Sequence, residues 1–411
     1  EFANLTINRA GGVSLPASQN ITLNGVLTLT TGAFTIGANT LSFHTNNSPI
    51  SRTGGTITTA AGSSLVFGTP GNTGGTDFAI PNGTFTAAPS ITNLTVNRDN
   101  KLILGNQPLT LSGTLTLTKG EFDNNGLAFT TTGAVPFART AGTLTVGAAG
   151  SLIFNANAGA FTIPDGLFTT APATFTTLTL NRGAGVLMTL GNQEVNVTGT
   201  TTLTAGTGGI LEIKNADLQI ATVGGTPSAN SMIVTTGTGF LKRSFPTGAS
   251  AVFTFPVGDN TGTSEYSPAA LTFSANGTAG TVGIRVTDLK HPSNSEVDNF
   301  ITRYWSFNAP ALTTYTYSTV FTYPTADVVG ADELNFKTQR YFNPPPTWTA
   351  DIASNTVPGA NSTLTTSSLT ETTGTLHNND FTSFTAPDVY YWSKATGNWN
   401  GGAAIWEVTN T

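Results

Sequence analysis

The phrase Leu5-Thr6-Ile7-Asn8-Arg9 returns as Leu94-Thr95-Val96-Asn97-Arg98 and again as Leu178-Thr179-Leu180-Asn181-Arg182, at spacings of 89 and 84 residues. Sequence between the copies repeats too. Residues 25–34 (GVLTLTTGAF) match 113–122 (GTLTLTKGEF), 52–57 (RTGGTI) match 139–144 (RTAGTL), and 79–83 (AIPNG) match 162–166 (TIPDG). Self-similarity of this length, carried by alternating apolar and threonine positions, specifies an architecture before it specifies any chemistry. It favours an extended surface over a pocket.

Within each long repeat, strand-like runs recur about every 22 residues: Leu5–Asn8, Leu27–Thr30 and Ile50–Thr53. Glycine and asparagine punctuate them, as at Asn24-Gly25, Thr31-Gly32 and Gly54-Gly55. Coils of about 20–25 residues with apolar side chains turned inward describe a parallel β-solenoid. Some four coils would fill one long repeat, and about 11 coils would make a rod near 50 Å long. The alternative makes each long repeat an immunoglobulin-like sandwich. The solenoid is preferred because the turns come too often for sandwich strands, and no tyrosine corner or buried tryptophan is evident.

Composition supports stacked strands. Only 9% of residues are charged, against 38% hydrophobic, so polarity comes from Thr, Ser, Asn and Gly. These stack at strand spacing without the repulsion that like charges would suffer, and threonine favours the pleated backbone. A net charge of −6 without any basic cluster argues against a nucleic-acid surface. No apolar run is long enough to span a bilayer as a helix. Cysteine is absent, which excludes disulfide and thiolate chemistry. The opening Glu1-Phe2-Ala3-Asn4 is not a signal peptide, so a mature chain or an interior fragment is expected.

Every tyrosine and tryptophan falls late in the chain, beginning at Tyr266 and Trp305. The repeat phrases fade after about residue 240, and a boundary is expected between Phe240 and Pro256. The chain is therefore read as all-β: a solenoid over 1–240, an antiparallel immunoglobulin-like sandwich over 241–388, and a linker or fresh module over 389–411. Sandwich strands are expected at Ala251–Val257, Ala270–Ser274, Val282–Val286, Tyr304–Phe307, Tyr315–Tyr323 and Phe336–Phe342.

Several short motifs in this half are distinctive. They are Phe255-Pro256-Val257-Gly258-Asp259, then Tyr266-Ser267-Pro268, Leu271-Thr272-Phe273 and Arg303-Tyr304-Trp305, with residues 380–386 (DFTSFTA) closing the unit. Tyr391-Trp392-Ser393-Lys394 and Gly397-Asn398-Trp399-Asn400 look like the opening of a following unit. Together with the Leu-Thr-x-Asn-Arg repeats, this set resembles modules of large secreted surface proteins of gliding and related Bacteroidetes. The resemblance implies export by the type IX route and a role as a surface adhesin or filament component. It also implies a sorting domain, which would lie beyond residue 411.

Chemistry-bearing residues are sparse. His44, His291 and His377 lie far apart and in no metal or triad spacing, so solvated or loop histidines are expected. No nucleophile elbow, zincin, P-loop or dinucleotide fingerprint occurs, and no enzyme is expected. The acids Asp259, Glu265, Asp288, Glu296 and Asp298 are expected to form a solvated acidic face, with a structural calcium ion held by them as the alternative. Asp123-Asn124-Asn125-Gly126 is expected to be a turn. Tyr341, Trp348, Trp392 and Trp399 are expected in core packing or module contacts, with stacking on sugar rings as the alternative. Alternation places Tyr304 and Trp305 on opposite strand faces, so at least one belongs to the core. The Asn8/Asn97/Asn181 and Arg9/Arg98/Arg182 pairs, about four coils apart, are expected at corners or lateral contacts, with a binding stripe as the alternative.

The expected function is a non-enzymatic extracellular stalk or adhesin that meets neighbouring copies of itself and surface polysaccharide, without nucleic acid and without crossing a membrane. The alternatives are a self-polymerising filament subunit and, less favoured, a polysaccharide-acting β-helix enzyme. No cofactor is expected, with the calcium already named as the alternative.

Overall fold

A computed structural model describes residues 1–71, 73–155, 159–204, 208–351, 361–366, 368–371, 376–385, 390–392 and 406–408. It is all-β, with a solenoid of about 11 turns. The first coil runs through Leu5–Asn8, Val13–Ser14 and Ile21–Leu23, one strand on each of three faces. The next coil lays Leu27–Thr31, Ala33–Gly37 and Thr40–Phe43 on them in parallel register. Successive coils pair residues 20 to 29 apart, as in Ile21↔Leu41 and Leu65↔Leu94.

Alternation turns the leucines, isoleucines and phenylalanines inward, so each stacks on its counterpart one coil below. Phe43 and Phe67 are register partners whose ring centroids lie 4.9 Å apart at 22°, close to the separation of neighbouring strands. Leu27, Leu29, Ile36 and Leu41 are fully buried in one continuous core. Outward threonines join coils by hydroxyl contacts, such as Thr58 to Thr86 at 2.7 Å and Thr145 to Thr169 at 2.8 Å. Some of the few charges pair across adjacent coils, as Lys101 does with its register partner Glu121 at 2.8 Å.

The repeat phrase carries one specific coil-to-coil tie. Asn4 Oδ1 accepts from the Val26 N–H at 2.7 Å, and Asn93 Oδ1 accepts from the Thr114 N–H at 2.9 Å. A Cβ at Gly25 or at Gly113 would lie 2.4 Å from that same Oδ1. In these two copies the glycine opening the next coil leaves room for the asparagine; the third copy has Thr177 at that position and keeps the glycine as Gly199.

Four whole coils per long repeat is not what the register gives. Leu5 lies on the first face of coil one. Leu94 stacks on Leu65 and Leu41, which places it on the third face of coil four. Leu178 stacks on Leu152, Phe129 and Leu109, the face that precedes the third within each coil. Each repeat thus advances three coils and two faces, and the three copies occupy three different sheets. The Asn-Arg pairs therefore form no stripe.

Two of these arginines are instead internal. Arg98 and Arg182 are 0% and 1% exposed. Arg98 Nη2 donates to the carbonyls of Asn46 and Thr76, each at 2.7 Å, and its guanidinium lies 5.7 Å from the Phe78 ring. Arg182 donates to Ala134 and Gly159, each at 2.9 Å, and lies 6.0 Å from Phe161. Each satisfies loop carbonyls that no strand reaches. Burial holds both guanidinium groups below the ordinary arginine value. Arg9 is exposed.

The second half forms two antiparallel sheets. One contains Gly280–Thr287, Tyr304–Asn308, Phe336–Phe342 and Asn379–Thr385; the other contains Phe253–Phe255, Ala269–Asn276, Tyr315–Pro324 and Asn361–Thr365. They meet across an aromatic layer in which Phe321 lies 4.8 Å from Trp305 and 5.1 Å from Phe381.

The first sheet is continuous with the solenoid. Leu241–Phe245 pairs in parallel with Leu218–Gly225 on one side and antiparallel with Gly280–Thr287 on the other. Val257–Asp259 likewise pairs parallel with Ile233–Val234 and antiparallel with Glu265–Tyr266. The expected strand Ala251–Val257 is split at Pro256, which lacks an N–H for a ladder. Its two pieces enter different sheets, so the changeover is spread over residues 241–266. Within 389–411, Tyr390–Trp392 pairs with Trp406–Val408.

Replacing Arg98 by Met strips the bonds to Asn46 and Thr76 and should cost about 2–3 kcal/mol in urea unfolding, as expected for buried charge-assisted bonds. Arg9→Met, at the exposed copy, should stay within about 0.5 kcal/mol.

Candidate functional site

The densest chemistry lies where solenoid and sandwich join. Asp259 ends the last parallel strand, and its register partner across the antiparallel pair is Glu265. Two acids directly opposite one another repel. Asp288 follows Gly280–Thr287, and Asp327 closes the short 3-10 turn Thr325–Asp327. All four surround Arg303, which is fully buried at the entry to Tyr304–Asn308.

Arg303 Nε donates to Asp327, Nη1 to Asp259 and Nη2 to Glu265, and Asp288 Oδ1 lies 3.4 Å from Nη2. Asp259 Oδ1 also accepts from the Thr261 N–H at 3.1 Å. Burial alone would lower the Arg303 pKa; bonds and charge from Asp327 and Asp259 outweigh it and raise it. Burial pushes the Glu265, Asp288 and Asp327 carboxyls above their ordinary values. Neighbouring carboxylates add to this at all three, and Arg303 opposes it.

Of the five calcium candidates, the fold gathers three. Oxygens of Asp259, Glu265 and Asp288 lie within 4.8 Å of one another, and the same three carboxylates contact Arg303. A cation is thus already bonded to each of them. Glu296 and Asp298 stand outside this group. Glu296 instead accepts from the Val297 and Asp298 N–H groups of its own loop, each at 3.0 Å, and Asp298 is exposed.

Arg303-Tyr304-Trp305 gives each residue a separate task. Trp305 is fully buried and its indole N–H donates to the Ser267 carbonyl at 3.0 Å. Tyr304 faces the other way, against His291, at 4.9 Å between ring centroids. This agrees with the alternation expected of the strand.

His291 lies in a loop, one of the two placements expected, but it is not solvated: it is 2% exposed. Tyr341 and Trp348 pack on it at 4.8 and 5.0 Å, and Phe384 packs on Trp348 at 5.1 Å. Nδ1 accepts from the Ser293 N–H, so the proton sits on Nε2, 3.1 Å from Asp380. Both ring nitrogens are committed to holding the 291–294 loop against the sheet. Tyr341 and Trp348 thus meet protein rings, and the Trp348 indole N–H donates to the Ser293 carbonyl at 3.2 Å. Trp392 lies on a described strand without a described side chain, and Trp399 lies outside the described residues. The Asp123–Gly126 run is a turn, with Asn125 at φ 56°.

Sequence reasoning missed Arg303 as the hub, Asp327 as its partner and Asp380 as the partner of His291. The available signal was an arginine opening an aromatic strand in a chain with only 16 basic residues. Contacts over 24 to 89 residues carry no local signature.

No protein-family model matches the chain, and neither a curated protein nor a solved structure shows significant similarity to it.

Removing Arg303 leaves four carboxylates without their shared partner. Arg303→Met should destabilise by about 3–5 kcal/mol, or prevent folding. Asp288→Asn should act in the opposite direction at neutral pH. The Asp288 pKa is raised on folding, so its ionised form opposes folding above that raised value, and the penalty fades as pH falls towards the ordinary aspartate range. Thermal melts of the two proteins should therefore differ at pH 7 and converge near pH 4.

Proposed function

We propose that this chain is a non-catalytic stalk segment of an extracellular surface protein, serving attachment or building a surface fibre. The observation that carries the reading is the uninterrupted ladder and core running from solenoid coils into the sandwich. Such continuity suits a stiff rod that bears load along its axis. The charge-poor, threonine-lined coils offer length and contact area. The junction's buried acids are bonded to Arg303 in the manner of a lock. The motif resemblance to secreted Bacteroidetes surface proteins supports the same reading, including an outer-surface location and type IX export. Among the described residues, no helix is long and apolar enough to cross a membrane.

Small-angle scattering should give a radius of gyration clearly above the roughly 22 Å of a compact chain of this length. Antibody against the chain should label intact cells, and its Fab should reduce their attachment to a solid surface. A compact radius, or labelling only after lysis, would overturn the stalk. A screen against common polysaccharides should show no turnover.

A further inference from the structure

Among the described residues, two solenoid faces run on into antiparallel strands at the junction, but the third does not. On that face residues 222–225 pair with residues 200–203 on one side. Among the described residues, no strand pairs with their other side. Phe253–Phe255 pairs only with Ala269–Asn276 among the described residues. Between these two strands lies a groove of about 430 Å³, lined by Thr222, Val223, Gly225, Arg243, Phe253 and Tyr266 among others.

Arg243 is out of place by the alternation rule. It occupies the inward side of Leu241–Phe245, between buried Leu241 and Phe245. Its guanidinium stacks on the Phe253 ring at 3.9 Å and lies 5.2 Å from that of Phe245. It makes no ion pair or hydrogen bond among the described residues, in contrast to Arg303. A guanidinium stacked on a ring keeps its edge N–H donors free for the oxygens of a carboxylate. Burial holds Arg243 below the ordinary arginine value and pushes the Tyr266 phenol up to about 12, so Tyr266 stays a donor at neutral pH. Val252, on the groove wall, is 62% exposed.

We propose that this groove receives an extended acidic peptide segment of a partner protein. The segment adds as a strand to the free edge at 222–225 and places one carboxylate on Arg243. An edge of four residues spans about 13 Å, and Gly224 and Gly225 bring no side chain to obstruct the approach. Strand addition supplies main-chain bonds, and the arginine supplies selectivity. A sugar chain fits less well, because the Phe253 face on which it would stack is covered by Arg243 and Tyr266 packs against Ile210, Met232 and Val234. The inference stands on the groove and does not need the stalk reading.

The test uses the full chain and fluorescence polarisation. The probes are a labelled hexapeptide with one central aspartate among valines and threonines, its asparagine counterpart, a backbone N-methylated copy, and an oligogalacturonate. The aspartate peptide should bind. The asparagine peptide and Arg243→Gln should each weaken binding roughly tenfold, as loss of a charge-assisted bond does, and N-methylation should abolish it. Amide exchange at 222–225 should slow when the aspartate peptide is added to the unsubstituted chain, a readout that survives misfolding of the variant. Equal binding of aspartate and asparagine peptides, unchanged exchange at 222–225, or binding of the oligogalacturonate alone would overturn the proposal. So would self-association of the chain that Arg243→Gln abolishes, because the occupant would then be a second copy.

Discussion

Parallel pairing between successive coils is the constraint on which everything else in this molecule depends. A strand in a coil satisfies its backbone groups only through the coils above and below, and its inward side chain is buried only by its counterparts there. Phe43 on Phe67, and Leu41 on Leu65 on Leu94, are local expressions of that rule. It makes the structure tolerant of coil length, since loops at the corners absorb extra residues. It makes the structure intolerant of charge on the inside, so the two buried arginines of the repeat are tied to carbonyls where a longer loop interrupts the stack.

A stack of coils has a last coil, whose outer edge is exposed unless something pairs with it. Here the sandwich provides the partner strands, by reversing strand direction within the same sheets. The solenoid and sandwich therefore share one core, and Pro256 divides the chain between the two sheets at the crossing. Closing the junction brings several acids together. Arg303 makes that tolerable by reaching four of them at once, at the expense of a buried cation that must never lose its partners. Among the described residues, the same joint leaves one solenoid face without a continuing strand. That edge and Arg243, stacked on Phe253, lie in the resulting groove.

Much of this was legible in the chain. Alternating apolar and threonine positions forecast inward stacking, and the 22-residue recurrence forecast coils, because both follow from local backbone geometry. Strands of the sandwich also fell near their expected places, as at Tyr304–Asn308, Tyr315–Pro324 and Phe336–Phe342. The phase of the long repeat was not legible. Counting residues cannot distinguish four coils from three coils and two faces, because corner loops vary from coil to coil. The acids around Asp259 were recognised as a group, but two of the five stay apart and an unforeseen aspartate joins.

The sequence by itself determined that the chain would form stacked, charge-poor β-coils followed by an aromatic-rich antiparallel unit. Periodicity and composition act residue by residue and survive without knowledge of the fold. Tertiary structure alone decided that the repeat phrases would turn onto three faces, that Arg303 would hold four acids while Arg243 stacked on Phe253, and that His291 would be enclosed. Those outcomes depend on where distant strands meet, which is set by how the last coils and the sandwich close against each other.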